Sequence, residues 1–257
     1  MLELTDHGPV REIRLAHPPA NALGPALLGA LEQALNAAVR AGVRGVVLSG
    51  AEGRFSGGMD VPALLAMDTA GVRATWAAFF GVLRTLARLP IPIAAALTGH
   101  SPAGGTVMAL FADHRVLAQG SYLVGLNEVQ VGLAVPPCLF DVLAYVVGAR
   151  QATRLATGGL LVQPAEALAV GLVDEVVPLA DVVPRALAWT TELLQRPPLA
   201  MAATRALART PLRNAADQMT DALLNDVVRQ WFGAECQKTM NALVARLRAR
   251  STGPANS

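Results

Sequence analysis

The hydrophobic pattern of the first half of the chain alternates between strands and helices. Val10–Leu15 alternates apolar and polar residues, which predicts a strand. Val43–Ser49 and Pro90–Leu97 are short, nearly continuous apolar runs, a pattern typical of strands buried on both faces of a parallel sheet. Apolar residues at helical spacing predict one helix from Pro25 to Gly42 and another from Leu64 past Leu83. The alternation predicts an α/β fold.

Helical periodicity dominates the second half of the chain from about Pro137. The predicted helices are Leu139–Val147, Ala152–Thr157, Pro164–Val170, Val182–Leu194, Leu199–Ala208 and Asn214–Arg248. We therefore predict an α/β core over residues 1–196 and a C-terminal helical oligomerisation region over residues 197–257, with a frayed polar tail at Ser251–Ser257.

The composition excludes several classes of protein. Of the 257 residues, 53% are hydrophobic and 16% are charged, which excludes a disordered chain. The net charge is +2 and aromatic residues make up 4%, so the chain lacks the basic, aromatic surface that nucleic-acid binding requires. Cys138 and Cys236 lie far apart and fit no zinc or disulfide spacing, which favours a reduced intracellular protein.

No segment predicts membrane insertion or export. The first residues have neither the basic nor the apolar region of a signal peptide, so we expect a cytoplasmic protein. Leu89–Ala112 is apolar and long enough to cross a bilayer, but its prolines and glycines divide it into a strand, a turn and the start of a helix.

Two glycine-containing turns, each between a strand and a helix, carry the first candidate chemistry. They are Phe55–Asp60 and Gly99–Gly105. Glycine allows a ligand to approach the backbone, and the start of a helix leaves N–H groups unpaired. Side by side, two such turns would direct two N–H donors at one oxygen, as an oxyanion hole does. Either turn alone also fits a tight connection that binds nothing.

Glu128 is the second candidate. Between Val116 and Leu143 the only charged residues are Glu128 and Asp141. Burial would raise the pKa of the Glu128 carboxyl and make it a proton-transfer base near neutral pH. The alternatives are an exposed loop carboxylate or a structural partner for an arginine.

Other catalytic arrangements fail on spacing. Gly99–Ala103 is similar to the G-x-S-x-G turn of serine hydrolases, but no histidine follows His114, and His114 is too near Ser101 to fit the usual order of serine, acid and histidine. The sequence also has no HExxH motif and no phosphate-binding loop, so we expect no metal site and no nucleotide cofactor of those kinds.

Together these segments resemble the crotonase (enoyl-CoA hydratase/isomerase) superfamily, nearly end to end. Phe55–Asp60 is similar to the family's F-S-A-G-x-D turn, with Gly57 in place of alanine. Thr98–Gly105 is similar to N-G-x-x-x-G-G-G, with Thr98 and Ala103 as departures. The resemblance implies a β-β-α spiral core with a helical C-terminal layer, assembled as a homotrimer or hexamer.

The resemblance also implies roles for individual residues. The N–H groups of Met59 and Gly104 would hold the thioester oxygen of an acyl-CoA substrate, and Asn127 would orient the reacting group. CoA is part of this substrate, so no separate cofactor is expected. The residues implied to line the CoA path are Ala20, Ala22, Gly57, Gly58 and Asp60.

The number of carboxylates selects the reaction within the superfamily. Hydratases use two glutamates, whose positions fall here on Val107 and Glu128, so only the second is present. One carboxylate suffices to move a proton from C2 to C4. Gly125–Gly132 also resembles the mitochondrial-type Δ3,Δ2-enoyl-CoA isomerases. We therefore predict conversion of 3-enoyl-CoA to 2-trans-enoyl-CoA in fatty-acid β-oxidation.

Several alternatives remain open at this point. The chain could be another crotonase-fold acyl-CoA enzyme of the hydratase, thioesterase, decarboxylase or dehalogenase type. A dehalogenase needs an aspartate nucleophile, for which Asp141 is the nearby candidate. The chain could also be a catalytically idle acyl-CoA-binding or RNA-binding member, although the lysine-rich helix of the latter is absent from the sequence.

Overall fold

The computed structural model describes the backbone of residues 1–252 and the side chains of residues 1–246. The strands of this described part are β1 Leu2–His7, β2 Val10–Leu15, β3 Gly45–Ser49, β4 Gly53–Arg54, β5 Ile93–Leu97, β6 Gly99–Pro102, β7 His114–Ala118, β8 Val124–Gly125 and β9 Glu175–Val177. The α-helices are α1 Pro25–Arg40, α2 Val61–Leu65, α3 Thr69–Arg88, α4 Gly104–Leu110, α5 Pro137–Val147, α6 Ala149–Gly158, α7 Pro164–Ala169, α8 Val182–Leu193, α9 Pro198–Ala208, α10 Thr210–Asp217, α11 Asp221–Trp231 and α12 Ala234–Thr252. Two 3₁₀ turns are Glu128–Val131 and Leu179–Asp181.

A six-stranded sheet in the order β1-β2-β3-β5-β7-β9 forms the centre of the fold. Only the β1–β2 pair is antiparallel. Every residue of β3 and of β5 is buried, because helices cover both faces, with α8 packed on one of them. This explains why both strands are continuous apolar runs instead of alternating ones.

A second, smaller parallel sheet positions the candidate site. It has the order β4-β6-β8, and each of its strands follows closely after a strand of the large sheet. Gly53 pairs with Gly99, and Ser101 pairs with Val124. Two strands followed by a helix repeat along the chain, as the predicted β-β-α spiral requires. The spiral brings the ends of β4, β6 and β8 side by side.

Two long predicted helices are wrong, because capping side chains interrupt them. The helix predicted through Leu64 and Leu83 is divided into α2 and α3, since Asp68 Oδ1 accepts a hydrogen bond from Gly71 N–H at 2.8 Å. The helix predicted over Asn214–Arg248 is divided into α10, α11 and α12, and Thr220 caps α11. Strands β1, β4, β6 and β9 were not predicted.

The C-terminal helices share the main hydrophobic core. Leu212 of α10, Trp231 of α11 and Met240 of α12 are buried in the same cluster as Ile13 of β2. No apolar side chain of helix α9 is fully buried. The predicted boundary at residues 196 and 197 falls in the connection that precedes α9, and the division into two regions stays a prediction. The tail predicted at Ser251–Ser257 lies outside the residues whose side chains are described.

A buried ion cluster attaches α9 and α10 to the core. Asp113, which immediately precedes β7, accepts hydrogen bonds from Arg205 Nε at 2.8 Å, from Arg209 Nη1 at 2.6 Å and from Ile93 N–H at 2.8 Å. The two arginines also donate to the carbonyl groups of Leu89, Leu86 and Phe111. A single carboxylate therefore balances two guanidinium groups that are nearly excluded from water.

Among the described residues, no helix combines the length and the hydropathy needed to cross a membrane.

We predict that Asp113→Asn lowers the free energy of unfolding by about 3 kcal/mol. The asparagine keeps the shape but leaves two buried arginines without a counter-charge. Urea unfolding followed by circular dichroism measures the change. Asp226→Asn is the control, because the Asp226–Arg229 pair is exposed and should contribute less than about 1 kcal/mol. Equal losses in the two variants would contradict a stabilising role for the cluster.

Candidate active site

The first glycine turn leads from β4 into α2. Ser56 Oγ donates to the carbonyl oxygen of Asn21 at 2.8 Å and accepts from Gly58 N–H at 3.2 Å. Met59 forms a parallel β-bridge with Leu23. In this bridge the Leu23 N–H donates to the Gly58 carbonyl, and the Asp60 N–H donates to the Leu23 carbonyl. The Met59 N–H therefore points away from Leu23. It donates to no acceptor within the described residues.

The second glycine turn leads from β6 into α4. Ala103 has φ +48° and ψ −122°, a conformation that costs a residue with a side chain roughly 1–3 kcal/mol. Two hydrogen bonds hold it there: its N–H donates to the Gly125 carbonyl at 2.8 Å, and its carbonyl accepts from Val107 N–H at 2.9 Å. Gly104 is the first residue of α4, so its N–H has no partner within the helix.

The two turns are in direct contact. A Cβ atom added to Gly58 would lie 3.5 Å from the Gly104 nitrogen and 3.2 Å from the Pro102 carbonyl oxygen. A Cβ atom added to Gly104 would lie 3.0 Å from Leu23 Cδ1. The structure thus places the turns bearing the Met59 and Gly104 N–H groups next to each other. Such an arrangement can stabilise negative charge on an oxygen.

The loop containing Ala20 and Ala22 lies against the first turn. Gly57 N–H donates to the Ala20 carbonyl at 2.7 Å. Between the two alanines, Asn21 is 2% exposed, and its Nδ2 donates to the carbonyl oxygens of Leu15 and Phe55, both at 2.9 Å. Asn21 thus fixes the loop. It was not among the predicted site residues, although a lone amide in an apolar motif could have indicated it.

Asp60 and Asn127, two further predicted site residues, each lie immediately before a short helical segment. Asp60 Oδ1 accepts from Ala63 N–H at 3.1 Å, so this carboxylate caps α2. Asn127 is half-buried at the start of the 3₁₀ turn that contains Glu128, and its side chain does not cap that turn.

Glu128 carries an enclosed and unpaired carboxyl oxygen. Its Oε2 is shielded from solvent and has no hydrogen-bond partner in the described residues. Desolvation raises the pKa of Glu128 from 4.5 to about 7. No arginine or lysine side chain of the described part pairs with it, so an arginine partner is excluded there. The environment is that of a base poised near neutral pH.

Strand β8 connects Glu128 to the second turn. Gly125 pairs with Pro102 in the small sheet, and its carbonyl accepts the Ala103 N–H. Glu128 follows three residues after Gly125, at the start of the 3₁₀ turn into which β8 leads. Helix α12 covers this segment, since a Cβ atom on Gly132 would lie 2.9 Å from Cys236 Cα.

Helix α4 contains no acidic residue. Val107 is 1% exposed, and its neighbours Thr106 and Met108 are also buried. The other nearby acid, Asp141, is exposed on α5 and faces Gln218 Nε2 at 3.5 Å. Glu128 is therefore the acid that follows the strand bonded to the second turn, while α4 itself supplies none.

Comparisons with known proteins agree with this geometry. Residues 5–250 match the enoyl-CoA hydratase/isomerase family. Human mitochondrial enoyl-CoA delta isomerase 1 is 33% identical over 242 residues, which cover 93% of this chain and 80% of that protein. A crystal structure of human mitochondrial Δ3-Δ2-enoyl-CoA isomerase superposes with a TM-score of 0.92 at 32% identity, covering 98% of this chain and 99% of that chain.

An enoyl-CoA hydratase of Mycobacterium ulcerans is also similar. It superposes with a TM-score of 0.81 at 27% identity and covers 90% of this chain and 99% of that chain. The family and the fold predicted from the sequence are thus confirmed.

We predict that Glu128→Gln makes stability less dependent on pH. The folded pKa of about 7 lies above the ordinary 4.5, so the stability that the protonated carboxyl contributes is complete below pH 4.5 and is lost as pH rises through 7. Between those limits the native chain should lose about 3 kcal/mol relative to the variant. Urea unfolding from pH 4 to pH 8 measures this difference.

Glu52→Gln, at an exposed carboxylate, is the matched control and should follow the native chain. Parallel pH profiles for Glu128→Gln and the native chain would show that Glu128 is not desolvated.

Proposed function

The chain belongs to the enoyl-CoA hydratase/isomerase family, and on that premise we propose that it converts 3-enoyl-CoA to 2-trans-enoyl-CoA. The observation that carries the proposal is a single desolvated carboxylate, Glu128, which follows the strand bonded to the second of two adjoining amide turns, while α4 contains no acid. The isomerases among the similar proteins support the same choice.

Proton transfer by one carboxylate accounts for the whole reaction. The ionised Glu128 takes a proton from C2 of the 3-enoyl thioester, and the electrons of that C–H bond move into a dienolate. The protonated Glu128 then gives the proton to C4, which leaves the double bond between C2 and C3. Atoms and charge balance without water or a cofactor. Desolvation favours this cycle, because a pKa of about 7 suits both steps.

The two free amides would stabilise the dienolate. The N–H groups of Met59 and Gly104 would donate to the thioester oxygen as it becomes negative, and each such donor contributes roughly 3–4 kcal/mol. The contact between their turns supports a shared acceptor. We propose that Asn127, which precedes Glu128 in the chain, orients the reacting group of the substrate.

The CoA path is proposed along the first turn and the loop beside it. The hydrogen bond between Gly57 and Ala20 supports a common surface of small residues. The residues we assign to this path are Ala20, Ala22, Gly57, Gly58 and Asp60. Asp60 also caps α2 through its hydrogen bond with Ala63 N–H.

The main alternative reaction within the family is the hydration of 2-enoyl-CoA. A hydratase adds water with a second carboxylate, at the position that falls on Val107. Val107 is buried and apolar, and α4 offers no substitute acid. Isomerisation is therefore favoured over hydration. The role in fatty-acid β-oxidation and the cytoplasmic location stay predictions, since the human relative is named as a mitochondrial protein.

We further propose assembly into a homotrimer or hexamer through α9. No apolar side chain of this helix is fully buried, and Leu199 and Leu207 are 87% and 75% exposed. Exposed apolar residues on one helix are typical of a subunit interface. The predicted oligomerisation region begins at this helix.

We predict that the protein sediments at three or six times its subunit mass of 26.7 kDa. Leu199→Asp combined with Leu207→Asp should shift it to the monomer mass, because each change places a charge in an apolar contact. Gln33→Asp combined with Asn36→Asp adds the same charge on the exposed face of α1 and should leave the mass unchanged. A native monomer would contradict the proposal.

We predict that Glu128→Gln lowers the rate of 3-enoyl-CoA isomerisation by about 10² to 10⁴-fold, because the amide cannot accept the proton. In the native enzyme the rate should rise with pH through a midpoint near 7, as Glu128 loses its proton. Absorbance of the conjugated product measures the rate, and Glu52→Gln is the control.

The same assay separates the alternatives. Retained activity in Glu128→Gln would refute the assignment of the base, and efficient hydration of 2-trans-enoyl-CoA would favour a hydratase. Release of free CoA thiol would indicate a thioesterase. Binding of enoyl-CoA without turnover would indicate an idle member of the family.

A further inference from the structure

The hydroxyl group of Thr106 joins two elements of the candidate site. Thr106 is the third residue of α4 and is 3% exposed. Its Oγ1 accepts a hydrogen bond from Gly125 N–H at 2.8 Å and donates to the carbonyl oxygen of Ser101. One side chain thus connects the end of β6, the start of α4 and strand β8.

Gly125 is fixed on every side. Its N–H is bound by Thr106, and its carbonyl is bound by Ala103 N–H. Its φ is +140°, and a Cβ atom would lie 2.3 Å from the Leu160 carbonyl oxygen. The Thr106 bond is therefore one of two hydrogen bonds, with that from Ala103 N–H, that hold β8 against the start of α4.

We propose that Thr106 is a positioning residue, whose hydroxyl fixes the distance between the Gly104 N–H and the carboxyl group of Glu128. The proposal rests on the proposed isomerase function. Gly104 lies two residues before Thr106, and Glu128 lies three residues after Gly125. The link between donor and base is therefore only five residues and one hydrogen bond long.

The hydroxyl of Thr106 supplies the hydrogen-bond acceptor for the buried Gly125 N–H. Without it, the buried Gly125 N–H would lose its acceptor, and burying an amide without a partner carries a desolvation cost. The strand would move to reduce that cost. A displacement of about 1 Å between reacting groups can lower a rate by about 10²-fold. The residues assigned to the CoA path lie on other segments, so substrate binding should change little.

Thr106→Val and Thr106→Ser test the proposal in the full-length enzyme. Valine keeps the shape but removes the hydroxyl, whereas serine keeps it. We expect Thr106→Val to lower kcat for 3-enoyl-CoA by about 10 to 100-fold with KM changed less than about twofold. Thr106→Ser should restore kcat to within about threefold of the native value. The midpoint of the kcat–pH profile should stay near 7, because Glu128 remains desolvated.

Thr190→Val is the matched control. Thr190 is also a buried threonine, and its Oγ1 donates to the Ala186 carbonyl at 2.8 Å within α8, across the large sheet. Its kcat should be that of the native enzyme. If Thr106→Val does not fold, as judged by circular dichroism, Thr106→Ala removes the hydroxyl without a β-branch, and the same loss of kcat is expected.

The outcomes separate this inference from the function it rests on. Native kcat in Thr106→Val would overturn the positioning role while leaving the isomerase assignment intact. A similar loss in Thr106→Ser would also overturn it, since the hydroxyl would not be the cause. If the native protein has no isomerase activity, both proposals fail. If Glu128→Gln retains native isomerase activity, Glu128 is not the base and the positioning role of Thr106 fails with it, while the isomerase assignment stands.

Discussion

The close contact between two backbone turns is the constraint on which the rest of the site depends. Pro102, Gly104 and Gly58 approach so closely that a side chain on either glycine would press against backbone or Leu23. The small sheet enforces this approach, since β4 and β6 end side by side. As a result, two amide groups that have no partner among the described residues lie on neighbouring turns. The strained conformation of Ala103 is the local cost of this arrangement.

The carboxyl group of Glu128 is the second costly feature beside those turns. Burying an ionisable group without a partner destabilises its charged form, which is why its pKa is raised to about 7. Native structures keep such groups mainly where they are used in chemistry. Helix α12 encloses this segment, and α9 and α10 are attached to the core by Asp113 with Arg205 and Arg209. Helix α12 thus helps to shield the segment of Glu128 from water.

Buried strands were predicted more accurately than the breaks within long helical segments. Strand β2 was predicted with its observed bounds, and β3 and β5 were predicted within a few residues, because their patterns of burial are local. The breaks between α2 and α3 and between α10, α11 and α12 were missed, since long apolar periodicity hides capping residues such as Asp68 and Thr220. Strand β1 was missed because it is an edge strand with little burial.

The sequence by itself determined the family, the spiral of strands and helices, and the chemical groups available, because motifs and periodicity depend on residues that are neighbours along the chain. It also indicated that Val107 removes the second carboxylate. Only the tertiary structure decided that Glu128 is desolvated and unpaired, that Asn21 fixes the loop beside the first turn, and that Thr106 connects α4 to β8. These properties depend on atoms from segments that are distant along the chain, and folding alone brings them together.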